Sequence, residues 1–79
     1  MANDMQAVNT LIVVMSSNDY ALSVRMAAAE GLGYAGGIEA REALMKVVKT
    51  DSFSNDLRAA AAKALGRAAK TQAGTRTDE

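Results

Sequence analysis

The chain has 79 residues, with nine basic and nine acidic side chains and no cysteine, histidine or proline. Zero net charge leaves no global field to draw it to nucleic acid or a membrane surface. The missing thiols and imidazoles exclude disulfides, a thiol nucleophile and an imidazole base, and they argue against a transition-metal site.

The first predicted helix runs from about Asp4 to Ser16, with Asn3 or Asp4 as its cap. Met5, Val8, Leu11, Ile12, Val13, Val14 and Met15 leave it hardly any polar face. Ser17-Asn18-Asp19 forms a turn, because short polar side chains compete for backbone hydrogen bonds. Asp19 is the expected N-cap of a second helix from about Tyr20 to Ala35. Gly36-Gly37 ends that helix, since glycine readily takes the left-handed conformation of a helix stop.

The third helix, about Glu39 to Lys49, sets Ala40, Ala43, Leu44, Val47 and Val48 on one stripe of a helical period. Charged side chains fill the rest, acid early and base late, which suits the helix dipole. Thr50 to Asn55 is a second polar turn, with Ser52 or Ser54 as cap of the fourth helix. That helix runs through an alanine block to about Thr71 and buries Phe53, Leu57, Ala61, Leu65 and Ala68. Residues 72–79 hold almost nothing apolar and are expected to form a flexible C-terminal tail.

The second half copies the first. Val24-Arg25-Met26-Ala27-Ala28-Ala29-Glu30-Gly31-Leu32-Gly33 returns further along the chain as Leu57-Arg58-Ala59-Ala60-Ala61-Ala62-Lys63-Ala64-Leu65-Gly66. Residues 5–37 align with 38–70 without a gap, pairing Leu11 with Leu44, Val14 with Val47 and Tyr20 with Phe53. A self-match at one fixed period is the mark of a repeat architecture. Gly31 falls opposite Ala64 and reads as room for a close-packed neighbour.

A paired-helix unit with a turn aspartate, Val/Leu-Arg, alanines and Ala/Gly-Leu-Gly resembles the HEAT-like repeat, and more narrowly the bacterial and archaeal kind associated with phycobilin lyases. The missing prolines, and a turn aspartate in register only at Asp19, depart from that pattern. The resemblance implies an all-α fold: an α-solenoid fragment of two helical hairpins over residues 1–71, helices one and three outside, two and four inside. It implies protein binding as the common use. Some relatives are enzyme subunits that handle bilins, and some bind nucleic acid.

Three groups of residues bear on function. In similar repeats the Arg and the turn Asp form a structural stitch, which implies that Asp19, Arg25 and Arg58 tie the units together. A ladder of arginines gripping an acidic partner is the other reading of that pair. Lys63, Arg67 and Lys70 make a weak basic stripe on the last helix, with no aromatic residues interleaved for base stacking. Its expected role is a solvated terminal face, and nucleic acid is the lesser reading.

The first helix, apolar all round, expects burial all round, which one neighbouring hairpin cannot provide. A partner surface is therefore expected at Met5, Val8, Ile12 and Val13. Its occupant is a protein: a second copy, an unrelated chain, or neighbouring repeats of a longer parent. No nucleophile motif, converging carboxylates or phosphate loop is legible, so no active site and no cofactor are expected. Leu11 to Met15 is too short an apolar run to span a bilayer, and the cysteine-free composition fits the cytoplasm. The expected function is a non-catalytic interaction or assembly module. An accessory subunit of a bilin-lyase-like enzyme, or nucleic-acid contact through the last helix, are its rivals.

Overall fold

The structure, a computed structural model, describes the backbone of residues 4–76 and the side chains of residues 5–70. Four helices follow one another: α1 (Asp4–Ser16), α2 (Leu22–Ala35), α3 (Gly37–Lys49) and α4 (Asn55–Arg76). Among the described residues there is no strand.

The helix boundaries follow local chemistry, and two differ from expectation. Asp19 does not cap α2. The helix begins at Leu22, so Asp19 lies two residues ahead of the N-cap position, where its backbone N–H donates to Ser17 Oγ at 3.1 Å. Ala21 takes the N-cap instead, with extended backbone angles (φ −62°, ψ 152°) and no side-chain hydrogen bond. Its counterpart in the second unit is Ser54, which does cap: the Leu57 N–H donates to Ser54 Oγ at 3.1 Å. The side chains of Asn3 and Asp4, expected to cap α1, lie outside the described residues.

Gly36 stops α2 as expected, with φ at 67° and its N–H donating to the Leu32 carbonyl at 3.0 Å. Gly37 follows at φ 87°, so two left-handed residues in a row reverse the chain and α3 starts at once. At the other end α4 continues to Arg76, past the expected limit at Thr71. With no proline beyond the alanine block, and Gln72 and Ala73 both good helix formers, nothing local terminates it there. The expected tail falls on these last helical residues and on 77–79, which lie outside the described residues.

The helices form two layers. α2 packs most extensively on α4, while α1 and α3 cover them as the outer pair. α1 lies against α2 and α3 against α4, so each unit is a hairpin. The buried core comprises Met15, Leu32, Leu44, Val47 and Leu57 with six alanines, Ala28, Ala29, Ala40, Ala61, Ala64 and Ala68. So much alanine lets helix axes approach closely, and the limit is reached at Gly33. A Cβ there would lie 2.8 Å from the Ala64 carbonyl oxygen and 2.9 Å from its Cα. Gly31, by contrast, faces Leu11 of its own hairpin, whose flexible side chain lies 3.3 Å from where a Cβ would stand.

Candidate partner surface

The arginines of the two units do the same work. Arg25 Nε donates to the Met15 carbonyl at 3.0 Å, and Arg58 Nε donates to the Val48 carbonyl at 3.0 Å. Both donors and both acceptors occupy equivalent places in the two units. Both carbonyls sit in the last turn of an outer helix, where C=O groups lack intrahelical partners and the dipole is negative. Each arginine thus closes its own hairpin.

Asp19 is not its acceptor. A main-chain carbonyl beside the core holds the guanidinium, and Asp19 stays in the exposed turn. Arg58 does meet a turn carboxylate, Asp51, at 3.6 Å, but Asp51 is 95% exposed and such a pair stabilises little. The stitch between units is an aromatic one: the Arg25 guanidinium carbon stands 5.5 Å from the ring centroid of Phe53.

Comparing equivalent positions of the two units shows what the internal junction covers. Leu57 is wholly buried, whereas its counterpart Val24 is 45% exposed. Phe53 is half-buried, whereas Tyr20 is exposed; Ala40 and Ala68 are buried, whereas Ala7 and Ala35 are exposed. These differences mark the leading end of the stack, the side of unit one that faces away from unit two. At the trailing end the inequality reverses. Ala29 and Leu32 are buried in the junction, while Ala62 is exposed and Leu65 only partly covered. Gly33 meets Ala64, while a Cβ at Gly66 would meet nothing within 4 Å.

The expected partner residues on α1 divide accordingly. Val8 and Ile12 pack against the core and are only partly exposed, because α2 and α3 lie on that side. Met5 and Val13 do face solvent, Val13 at 60% exposure. Gln6, Asn9, Thr10, Val13, Val14 and Tyr20 line a shallow groove of about 290 Å³ at this leading end. Val13, Tyr20 and Val24 are thus exposed apolar side chains of this unit, whereas Val8 and Ile12 are not. Of the three, Tyr20 and Val24 have counterparts that unit one covers, and the Val13 counterpart, Lys46, is exposed as well. Tyr20 and Val24 lie outside α1, and their signal in the sequence is the match to Phe53 and Leu57 in the second unit.

The inner layer carries a second concavity, a groove of about 490 Å³ between α2 and α4. Met26, Ala60 and Ala64 contribute apolar lining, and Glu30, Asp56, Lys63 and Arg67 bring charges of both signs. The Arg67 guanidinium carbon stands 4.5 Å from the Tyr34 ring centroid. Lys63 and Arg67 thus share their surroundings with two carboxylates, and Lys70 is not part of the lining. A phosphate backbone would meet mixed charge there rather than a positive track. Among the described residues no three acidic side chains gather as a metal site would require, and no helix is long and apolar enough to cross a membrane.

The family model for HEAT repeats matches residues 1–66. No curated protein and no solved structure gives a significant match. Four helices in two equivalent hairpins, stacked through an alanine-rich inner layer, agree with that match, and the chain belongs to the HEAT repeat family.

Proposed function

We propose that the chain is a non-catalytic protein-interaction and assembly module whose partner surface is the leading end of its first unit. HEAT repeats generally mediate contacts between proteins, and terminal solenoid units usually present a polar outer side. This one does not. The observation that carries the reading is Val24, 45% exposed at the position where unit two buries Leu57 completely. Tyr20 and Val13 are exposed beside it in the first unit, and exposed apolar side chains gathered at one end support an interaction surface. A cytoplasmic setting is in keeping with the cysteine-free composition.

The test is site-directed photo-crosslinking in the native source, with the reactive group placed at Val13 or, as a control on another face, at Lys49. The reading expects a protein adduct from Val13 that disappears when Val24→Asp is added. Adducts that form equally from Lys49, or that survive Val24→Asp unchanged, contradict it.

A further inference from the structure

We propose that the leading end receives the trailing end of a second copy of this chain, head to tail, so that the junction between copies repeats the junction inside each. The proposal rests on the partner-surface reading above and adds the occupant. Its ground is that the two ends are the two halves of an interface the molecule already makes with itself.

Two contacts of the internal junction have both of their halves waiting at the ends, and a third has its leading half there. The first is the ring on the guanidinium. Phe53 stands over Arg25, and the counterparts are Tyr20 at the leading end and Arg58 at the trailing end. Arg58 is held through Nε by Val48 as Arg25 is held by Met15, while its outer nitrogens also meet Asn55 at 3.4 Å and the exposed Asp51 at 3.6 Å, contacts that an incoming ring would share.

The second contact is the glycine notch. Gly33 receives Ala64, and Gly66 is the same notch with nothing in it. The residue that would enter from a second copy is Gly31, which is smaller than alanine and cannot clash.

The third is the apolar cover, where Val24 stands for Leu57 and Val14 for Val47. Thr10 stands for Ala43, and it donates its hydroxyl to the Gln6 carbonyl at 3.0 Å within its own helix. No residue lining the leading groove is charged, so none repels Arg58.

Such a junction is heterologous: the two contacting surfaces differ, and every added copy leaves one of each free. Growth is open-ended, unlike a symmetric dimer made through α1. Sedimentation velocity over a concentration series should therefore show a mass that climbs past twice 8.2 kDa without a plateau at the dimer.

Two variants dissect the junction. Val24→Asp blocks the leading end only, and Gly66→Glu blocks the trailing end only. Val24 is exposed in the first turn of α2, where an acid is tolerated, and the Gly66 position opens on empty space. Each variant alone should stay monomeric, and the two mixed should form a one-to-one complex that grows no further. Should either lose its helical circular dichroism, Tyr20→Glu and Ala62→Glu block the same two ends.

A wild-type chain that stays at 8.2 kDa throughout overturns the proposal. So does a Gly66→Glu chain that still dimerises alone, which would mean a symmetric contact, or a mixture that forms no complex. If the wild type is monomeric yet the Val13 crosslink captures another protein, this proposal falls and the partner-surface reading stands.

Discussion

The Arg25 guanidinium holds the Met15 carbonyl at 3.0 Å, reaching from the inner helix back to the end of the outer one. Arg58 repeats the contact on Val48. This is a side chain of the inner helix finishing the outer helix, and it sets how the two arms of each hairpin meet. The clamps differ in surroundings. Arg25 also stands over Phe53 of the next unit and has its Nη2 buried, whereas Arg58 has a 31% exposed side chain.

Removing the clamp should therefore hurt unequally. A hydrogen bond to a charged group contributes about 1.5–3 kcal/mol, and water replaces it only where it can reach. Arg25→Met should lower stability by about 2–3 kcal/mol and Arg58→Met by about 1 kcal/mol, measured as urea-unfolding free energies. Lysine should rescue neither fully, because it lacks the planar fork that presents Nε–H to the carbonyl. Equal losses at both sites would contradict the difference in burial.

The contact between units can be isolated by a double-mutant cycle. Arg25→Met and Phe53→Leu, singly and together, should give a coupling energy of about 0.5–2 kcal/mol. Strict additivity would mean that the ring and the guanidinium are merely adjacent.

Capping supplies a prediction in the opposite direction. Ala21 has the extended backbone of an N-cap and no side chain to use it, while Ser54 makes the bond in the second unit. Ala21→Ser should raise the unfolding free energy by about 1 kcal/mol, and Ser54→Ala should lower it by a similar amount. Thermal unfolding followed by circular dichroism checks both, and a destabilising Ala21→Ser would show that the two helix starts are not equivalent.

The fold was legible because a gapless self-match needs no energetics, and because α1, Gly36 and Ser54 obey strong local rules. What escaped depended on angles between helices. Periodicity says which residues share a face of α1, but it does not say where α2 and α3 sit around it. Val8 and Ile12 proved to face those neighbours, and Val13 did not. Asp19 failed as a cap because α2 starts at Leu22, two residues later than an Asp19 cap requires, a boundary that spacing does not fix. The arginines stand out in the sequence, yet a main-chain carbonyl leaves no mark there, so their acceptor could not be read. Gly33 was visible only as a matched glycine; that Ala64 touches it is a fact of the stack.

Two matched glycines should consequently respond in opposite ways. Alanine at Gly33 must push on the Ala64 backbone, and overpacking of that kind destabilises by about 1–3 kcal/mol, offset in part by better helix propensity. Alanine at Gly66 meets nothing, so Gly66→Ala should stabilise by about 0.5–1 kcal/mol. Urea unfolding of dilute samples reads both, and the same sign at the two positions would refute the assignment of one glycine to the junction and the other to an open end.

In the proposed assembly each end of the stack is half of the junction inside it. The most direct test of that claim is a chain carrying a third unit, copied from residues 38–70 and joined after α4 through a Gly-Gly turn like that at Gly36-Gly37. If Gly66, Leu65 and Arg58 form a true half-junction, the longer chain should unfold in one transition, with a higher urea midpoint and a steeper slope than the two-unit chain. A separate, earlier transition for the added unit, or an unchanged midpoint, would contradict the claim.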